Sequence, residues 1–169
     1  FALDPGSTGP ALRAWGQSVQ DTYKPKAVLV MSPHWMTRIP VVMTTAKPQT
    51  WHDFGGFPQA LYELRYPAQG HAALANQVQG LLLAAGIDCA SDDKRPYDHG
   101  AWVPLMHVFP KADIPVVQLS LPAYFSPAQL VALGNGKVAG IPFSVVLLAA
   151  TFLAVGAHIG RRADIGSPM

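Results

Sequence analysis

Cysteine is nearly absent from this chain of 169 residues, since Cys89 is the only one. An intramolecular disulfide is therefore excluded. A lone thiol near Ile87 and Ala90 is typical of a small buried side chain in a reducing compartment. The first residues also lack the basic segment and apolar run of a secretory signal. We therefore expect a cytoplasmic location.

Charge is scarce as well, with 13% charged residues and a formal net charge of +2. Lys94-Arg95 and Arg161-Arg162 are isolated basic pairs, and no basic stripe of the kind that binds nucleic acid is present. We therefore expect no nucleic-acid partner. So few charges indicate a large buried fraction, a homo-oligomer interface or a membrane-facing segment.

Helical periodicity and short apolar runs alternate along the first part of the chain, separated by prolines and glycines. The patterns predict helices over 10–23, 58–65, 71–85, 101–109 and 126–133. They predict strands over 27–31, 39–45 and 114–120, of which the first is apolar throughout, as a strand buried on both faces would be. This order indicates an α/β domain with a mainly parallel or mixed sheet flanked by helices.

The end of the chain has a different composition, and we divide the sequence into an α/β domain over 1–134 and an apolar tail over 135–169. Residues 138–157 carry no charge. Their length could cross a bilayer, and the basic pair that follows would suit a cytoplasmic flank. A buried element is the preferred interpretation, because residues 145–155 also suit a strand that enters a turn.

Two of the six histidines stand where a site is expected. His34 follows the first predicted strand directly, and ligands of open α/β sheets bind beyond the carboxyl ends of strands. Its imidazole could bind iron, zinc or copper. His99 follows Asp98, and a carboxylate can orient an imidazole for acid–base catalysis. Equally, Asp98 could be a helix N-cap that His99 merely neighbours.

A third candidate is the loop His52-Asp53-Phe54-Gly55-Gly56-Phe57-Pro58. Paired glycines between aromatic residues allow a tight turn and close approach of a flat ligand. His52, Asp53 and Phe57 are therefore candidate substrate-binding residues, although the segment could simply lead into the helix that starts at Pro58. His71 and His107 are interpreted as structural.

Four segments, in this order, resemble the class III extradiol ring-cleavage dioxygenases, in particular their DOPA-dioxygenase-like family. Ser32-Pro33-His34-Trp35 is similar to the family's Ser-Ala-His-Trp element. The loop 52–58, continued by Tyr66-Pro67-Ala68-Gln69-Gly70, is similar to an Asp-Phe-x-Gly-Phe-Pro segment and its Tyr-Pro-Ala-Pro-Gly continuation. Asp98-His99-Gly100-Ala101-Trp102 resembles an Asp-His-Gly-x-Trp element, and residues 112–120 resemble the strand after it. The resemblance covers about residues 1–134.

The resemblance implies an enzyme that opens a catechol ring next to a hydroxyl group, with O₂ and Fe(II), and with Zn(II) as the alternative metal. It implies that His34 is a metal ligand and that His99 is the acid–base residue. A metal lowers the pKa of bound hydroxyl groups and holds two reactants together. The substrate could be similar to DOPA.

The chain also departs from the family pattern. The family's first metal ligand belongs to a His-Gly-Ser-Pro element that would precede Phe1, and the family's C-terminal third has no counterpart. A further family histidine, in a His-Asn-Leu element, is expected near residue 155, and His158 is the candidate equivalent. A non-catalytic remnant that keeps the fold without a full metal site is therefore the alternative, since a facial triad needs three protein ligands.

Overall fold

The structure is a computed structural model that describes residues 1–126 and the backbone of residues 145–149. Four helices and five strands lie in these parts of the chain. In chain order they are α1 (Thr8–Tyr23), β1 (Ala27–Thr37), β2 (Val41–Met43), α2 (Gln59–Glu63), α3 (Ala72–Ala84), β3 (Ala90–Asp92), α4 (His99–Val108), β4 (Val116–Pro122) and β5 (Val145–Ala149).

The strands form one sheet in the order β3-β2-β4-β1-β5. β1 lies parallel to both β4 and β5, and β2 lies parallel to β3. The single antiparallel pairing in the described sheet joins β2 to β4. The sheet is therefore mixed and mostly parallel, which confirms the predicted α/β class.

Helices cover both faces of the sheet, so β1 is buried on both sides. Val28 and Val30 point into one core, which α1 and α4 close. Leu29 and Met31 point into a second core, which α3 closes. Side chains of a strand alternate between faces, and a strand between two cores is therefore apolar at every position. The apolar run at 27–31 therefore predicts a strand that is buried on both faces.

Four of the five predicted helices are present, with ends that differ by a residue or two. α3 is capped by His71, whose Nδ1 accepts a hydrogen bond from the backbone of Leu74 at 3.2 Å. Gly86 follows α3 with a φ of +75°, in the left-handed region that favours glycine after a helix. The predicted helix over 126–133 lies outside the described residues, apart from Ser126.

The strands differ more from prediction. β1 does not end at Met31 but continues to Thr37, and its pairing with β4 shifts register between Ser32 and Met36. Such a bulge turns the strand locally and redirects its side chains. β3 was not predicted, since a three-residue strand in a polar segment leaves almost no pattern. The predicted strand over 39–45 is shorter than expected.

Of the tail, the structure describes only β5, which adds a parallel strand beside β1. The remainder of the uncharged run at 138–157 lies outside the described residues. Within the described part of the chain, none of the helices combines the length and the apolar character that a bilayer crossing requires.

Candidate metal and acid–base site

His34 lies in the irregular part of β1, just beyond the residues buried in the two cores. Its side chain is 38% exposed. Its backbone N–H donates a hydrogen bond to Ser32 Oγ at 3.1 Å. The bulge thus presents an accessible imidazole at the carboxyl end of a buried parallel strand, where α/β sheets place their ligands.

His99 is the first residue of α4, and Asp98 is the N-cap of that helix. The Asp98 side chain accepts a hydrogen bond from the backbone N–H of Ala101 at 3.2 Å. Gly100 lets the helix start approach β1 closely, because a Cβ at this position would lie 2.6 Å from His34 Cδ2. The His34 and His99 rings consequently meet, with centroids 3.9 Å apart and planes at 71°.

Asp53 reaches this pair from the loop after β2. The loop is held against the segment before α4, where the backbone N–H of Trp51 donates to the carbonyl of Tyr97 at 2.8 Å. The indole N–H of Trp102 in turn donates to the carbonyl of Trp51 at 2.8 Å. These bonds fix the part of the loop that immediately precedes Asp53.

The Asp53 carboxylate contacts both imidazoles, one with each oxygen. Its Oδ1 accepts hydrogen bonds from both the backbone N–H and the ring Nδ1 of His99, each at 2.8 Å. Its Oδ2 lies 3.3 Å from His34 Nδ1. One ligand atom from each of the three residues can be chosen so that all lie within 4.8 Å of one another.

The electrostatics of the cluster follow from these contacts. Burial by itself would raise the pKa of Asp53, but hydrogen bonds from the backbone and ring of His99, with the charge of that ring, hold the pKa below its ordinary value. Asp53 is therefore a carboxylate at neutral pH. Because a carboxylate only accepts, Nδ1 of His99 is the donor to Asp53, and Nε2 is the ring nitrogen that takes no part in this bond.

Two of the expected substrate-binding residues lie beside the cluster, in a patch of aromatic rings. Phe54 stands perpendicular to the His99 ring at 5.2 Å and to Phe57 at 5.5 Å. Phe57 is 55% exposed. His52 points towards Trp102, and its Nε2 donates to the carbonyl of Leu64 at 3.1 Å. The loop thus supplies an apolar wall next to the imidazole pair.

The Arg95 side chain lies between Trp35 and Trp51, two residues that are close in sequence to His34 and Asp53. The Arg95 guanidinium is 4.6 Å from the Trp35 ring centre and 5.0 Å from that of Trp51. It also pairs with Asp98 at 2.9 Å. The Arg95 side chain is only 14% exposed, and its cation–π contacts are therefore largely shielded from water.

The structure brings His34 and His99 together, and of the two roles left open for Asp98 it shows the helix N-cap. The carboxylate on the His99 ring comes from Asp53, 46 positions away, whereas Asp98 caps the helix. The sequence predicts Asp53 as a substrate-binding residue of its loop, and nothing in the local pattern indicates that its carboxylate would reach the His99 ring. His158, the other expected metal ligand, lies outside the described residues.

The remaining histidines have structural surroundings, as expected. His71 caps α3. His107 is buried in α4, and burial followed by the charge of Arg13 lowers its pKa, so the ring is neutral at physiological pH. Neither belongs to the group of residues around His34.

Comparison with known proteins relates the chain to aromatic ring-opening dioxygenases. Residues 5–136 match the family described as the catalytic LigB subunit of aromatic ring-opening dioxygenase. The chain is 44% identical over 125 residues to 4,5-DOPA dioxygenase extradiol from Beta vulgaris, covering 73% of this chain and 46% of the relative. It is 46% identical over 110 residues to the protein of the same name from Escherichia coli strain K12, covering 64% of this chain and 40% of the relative.

A solved structure shows the same fold. An uncharacterized protein from Escherichia coli K12 matches with a TM-score of 0.61 and 32% identity, covering 80% of this chain and 50% of that one. The present chain therefore spans about half the length of the proteins that it matches.

Proposed function

Because the chain belongs to the family of the catalytic LigB subunit of aromatic ring-opening dioxygenases, we propose that it carries part of the centre of a metal-dependent extradiol dioxygenase. The observation that supports this most strongly is the convergence of His34, Asp53 and His99, whose ligand atoms lie within 4.8 Å of one another. The three come from a strand end, a loop and a helix start, so the fold itself creates the cluster.

The donor atoms fit the metal that the family implies. Imidazole is a ligand of both non-haem Fe(II) and Zn(II), and His34 offers an accessible imidazole next to the His99 ring. When bound, the metal would acidify the hydroxyl groups of a catechol and hold that substrate beside O₂. We propose Fe(II) as the metal, with Zn(II) as the alternative, and His34 as the ligand among the described residues.

We assign the acid–base role to His99 and a positioning role to Asp53. The Asp53 carboxylate keeps the His99 proton on Nδ1, and Nε2 can therefore accept a proton from a substrate hydroxyl and later return it. Asp53 also holds the backbone of His99, so both the position and the tautomer of the ring are set by one side chain.

The substrate that we propose is a catechol, as the names of the 4,5-DOPA dioxygenase relatives suggest. The aromatic wall formed by Phe54 and Phe57 supports a flat, apolar ring beside His99. Aromatic rings pack edge-to-face or offset at such distances. His52 borders this wall through Phe54, at 5.6 Å between ring centres.

Metal binding and turnover separate these roles. We expect the wild-type chain to bind Fe(II) in anaerobic calorimetry at micromolar concentration, and His34→Ala to abolish this binding. His99→Gln should keep metal binding but lose oxygen uptake and formation of the yellow ring-opened product from a catechol under air. His71→Gln is the matched control, since that histidine lies in a helix cap away from the cluster.

The outcomes distinguish the alternatives. A wild-type chain that binds no divalent metal would contradict the proposal and favour the non-catalytic remnant. Loss of metal binding in His99→Gln would instead make His99 a ligand and refute its acid–base role. Metal binding without turnover would limit the proposal for this chain to the metal site.

A further inference from the structure

A second carboxylate, Asp98, is fully buried directly behind the two imidazoles. It accepts hydrogen bonds from the Ser32 hydroxyl and the Gln118 side-chain amide. It also accepts from Arg95 at 2.9 Å and from the backbone N–H of Ala101 at 3.2 Å. A buried charge with this many partners is strongly tied to its surroundings, because each lost partner leaves a desolvated group unpaired.

One of these bonds leads to His34. The Ser32 hydroxyl donates to Asp98 and at the same time accepts the backbone N–H of His34 at 3.1 Å. A hydroxyl has one donor and two acceptor sites, so its donation to Asp98 directs its lone pairs towards His34. The bulge that presents His34 is thus anchored to the helix cap.

The other imidazole depends on the same carboxylate through the chain. Asp98 caps α4, and His99 is the next residue, the first of the helix. Gly100 brings this helix start against the bulge, since a Cβ there would lie 2.5 Å from Ser32 Oγ. Asp98 therefore binds Ser32 in the bulge that carries His34, and it caps the helix that begins with His99.

We propose that Asp98 is a positioning residue that sets the separation of the His34 and His99 rings, acting on His34 through Ser32. The inference rests on the proposed function, because the distance between the two rings affects metal and substrate binding only if the site binds them. Asp53 orients the ring of His99. Asp98, through Ser32, orients the segment that carries His34.

Ser32→Ala is the test, because it removes the link to His34 and leaves Asp98 its other donors. Ser120→Ala is a closely matched control. Ser120 lies opposite Ser32 in the β1–β4 ladder and is equally buried. Its hydroxyl accepts a hydrogen bond from the backbone N–H of Val41 at 2.7 Å and contacts the Thr37 hydroxyl, so its partners differ from those of Ser32. Each variant therefore loses one buried serine hydroxyl from the same pair of strands.

Two readouts distinguish positioning from plain stability. In the metal-free protein, we expect the NMR signals of the His34 ring to shift in Ser32→Ala and to stay unchanged in Ser120→Ala. With Co(II), we expect Ser32→Ala to bind about tenfold more weakly and to change the visible absorption spectrum, as residues that support metal ligands do. Asp98→Asn should show the same changes, provided that circular dichroism shows it folded.

Unchanged His34 signals in Ser32→Ala would overturn the inference, as would equal shifts in Ser120→Ala. A wild-type chain that binds no Co(II) would count against the proposed function instead, and the metal-free NMR comparison would still decide the positioning role. Normal Co(II) affinity in Ser32→Ala, with a wild type that binds, would overturn the link to the metal.

Discussion

Gly100→Ala should separate the geometry of the site from the stability of the fold. A Cβ at this position would lie 2.6 Å from His34 Cδ2, which is about 0.8 Å short of the 3.4 Å at which ordinary contact begins. It would also lie 2.5 Å from Ser32 Oγ. The His34 ring and the start of α4 must therefore move apart, while metal–ligand distances tolerate only about 0.2 Å.

The two consequences have different magnitudes. Overpacking costs about 1–3 kcal/mol. Replacing glycine by alanine in a helix stabilises it by about 1 kcal/mol, so we expect a net loss of about 0–2 kcal/mol in unfolding free energy. The displacement of His34 has no such compensation, and we expect Zn(II) affinity to fall by about 10–100-fold, as when residues that support metal ligands are replaced.

Zn(II) calorimetry and urea unfolding measure the two effects, with Gly80→Ala as the matched control. Gly80 is exposed in α3, and a Cβ there would meet nothing within 4 Å. It should therefore raise the unfolding free energy by about 1 kcal/mol and leave Zn(II) binding unchanged. A Gly100→Ala protein with wild-type Zn(II) affinity would refute the argument that close approach of α4 to β1 sets the position of His34.

Two further variants test the Asp53 carboxylate and the packing of α1 on α4. Asp53→Asn should lower the unfolding free energy by about 1–3 kcal/mol at pH 7, because a hydrogen-bonded carboxylate is lost. Because the pKa of Asp53 is lowered in the fold, its contribution is complete above the unfolded value of about 3.9 and fades as pH falls through the lower folded value. Urea unfolding of both proteins should therefore converge in acid, and a constant gap would contradict this. Gly16→Ala should destabilise by about 1–3 kcal/mol, since its Cβ would lie 2.0 Å from the Val108 carbonyl oxygen. Metal affinity should not change, because Val108 ends α4 at the opposite end from His99, and a loss of affinity would show that the site responds to any disturbance of the helix.

The sequence predicts best where one local pattern decides the structure. The run at 27–31 is apolar because cores lie on both faces of β1, and Gly86 ends α3 because few other residues adopt its backbone angles. Such signals depend on the residue and its immediate neighbours. The class of fold and the positions of three of the strands follow from them.

The site is harder to predict because its contacts are distant in sequence. His34 and His99 could each be singled out by position after a strand and before a helix. The Asp53–His99 bond spans 46 residues and the Ser32–Asp98 bond spans 66, so no periodicity reports them. The bulge in β1 has the same origin, since it is visible only against the register of β4. Long-range partners are chosen by the packed fold.

The stacking of Arg95 between Trp35 and Trp51 makes intrinsic tryptophan fluorescence a probe of the site. Of the four tryptophans in the chain, these two flank the site segments in sequence, and Trp102 is hydrogen-bonded to one of them. Indole fluorescence responds to nearby charge and to changes in ring contacts, so occupation of the cluster should alter the emission of the unlabelled protein. Ligand binding can thus be followed by a fluorescence titration, in which Trp15 on α1 contributes a constant background.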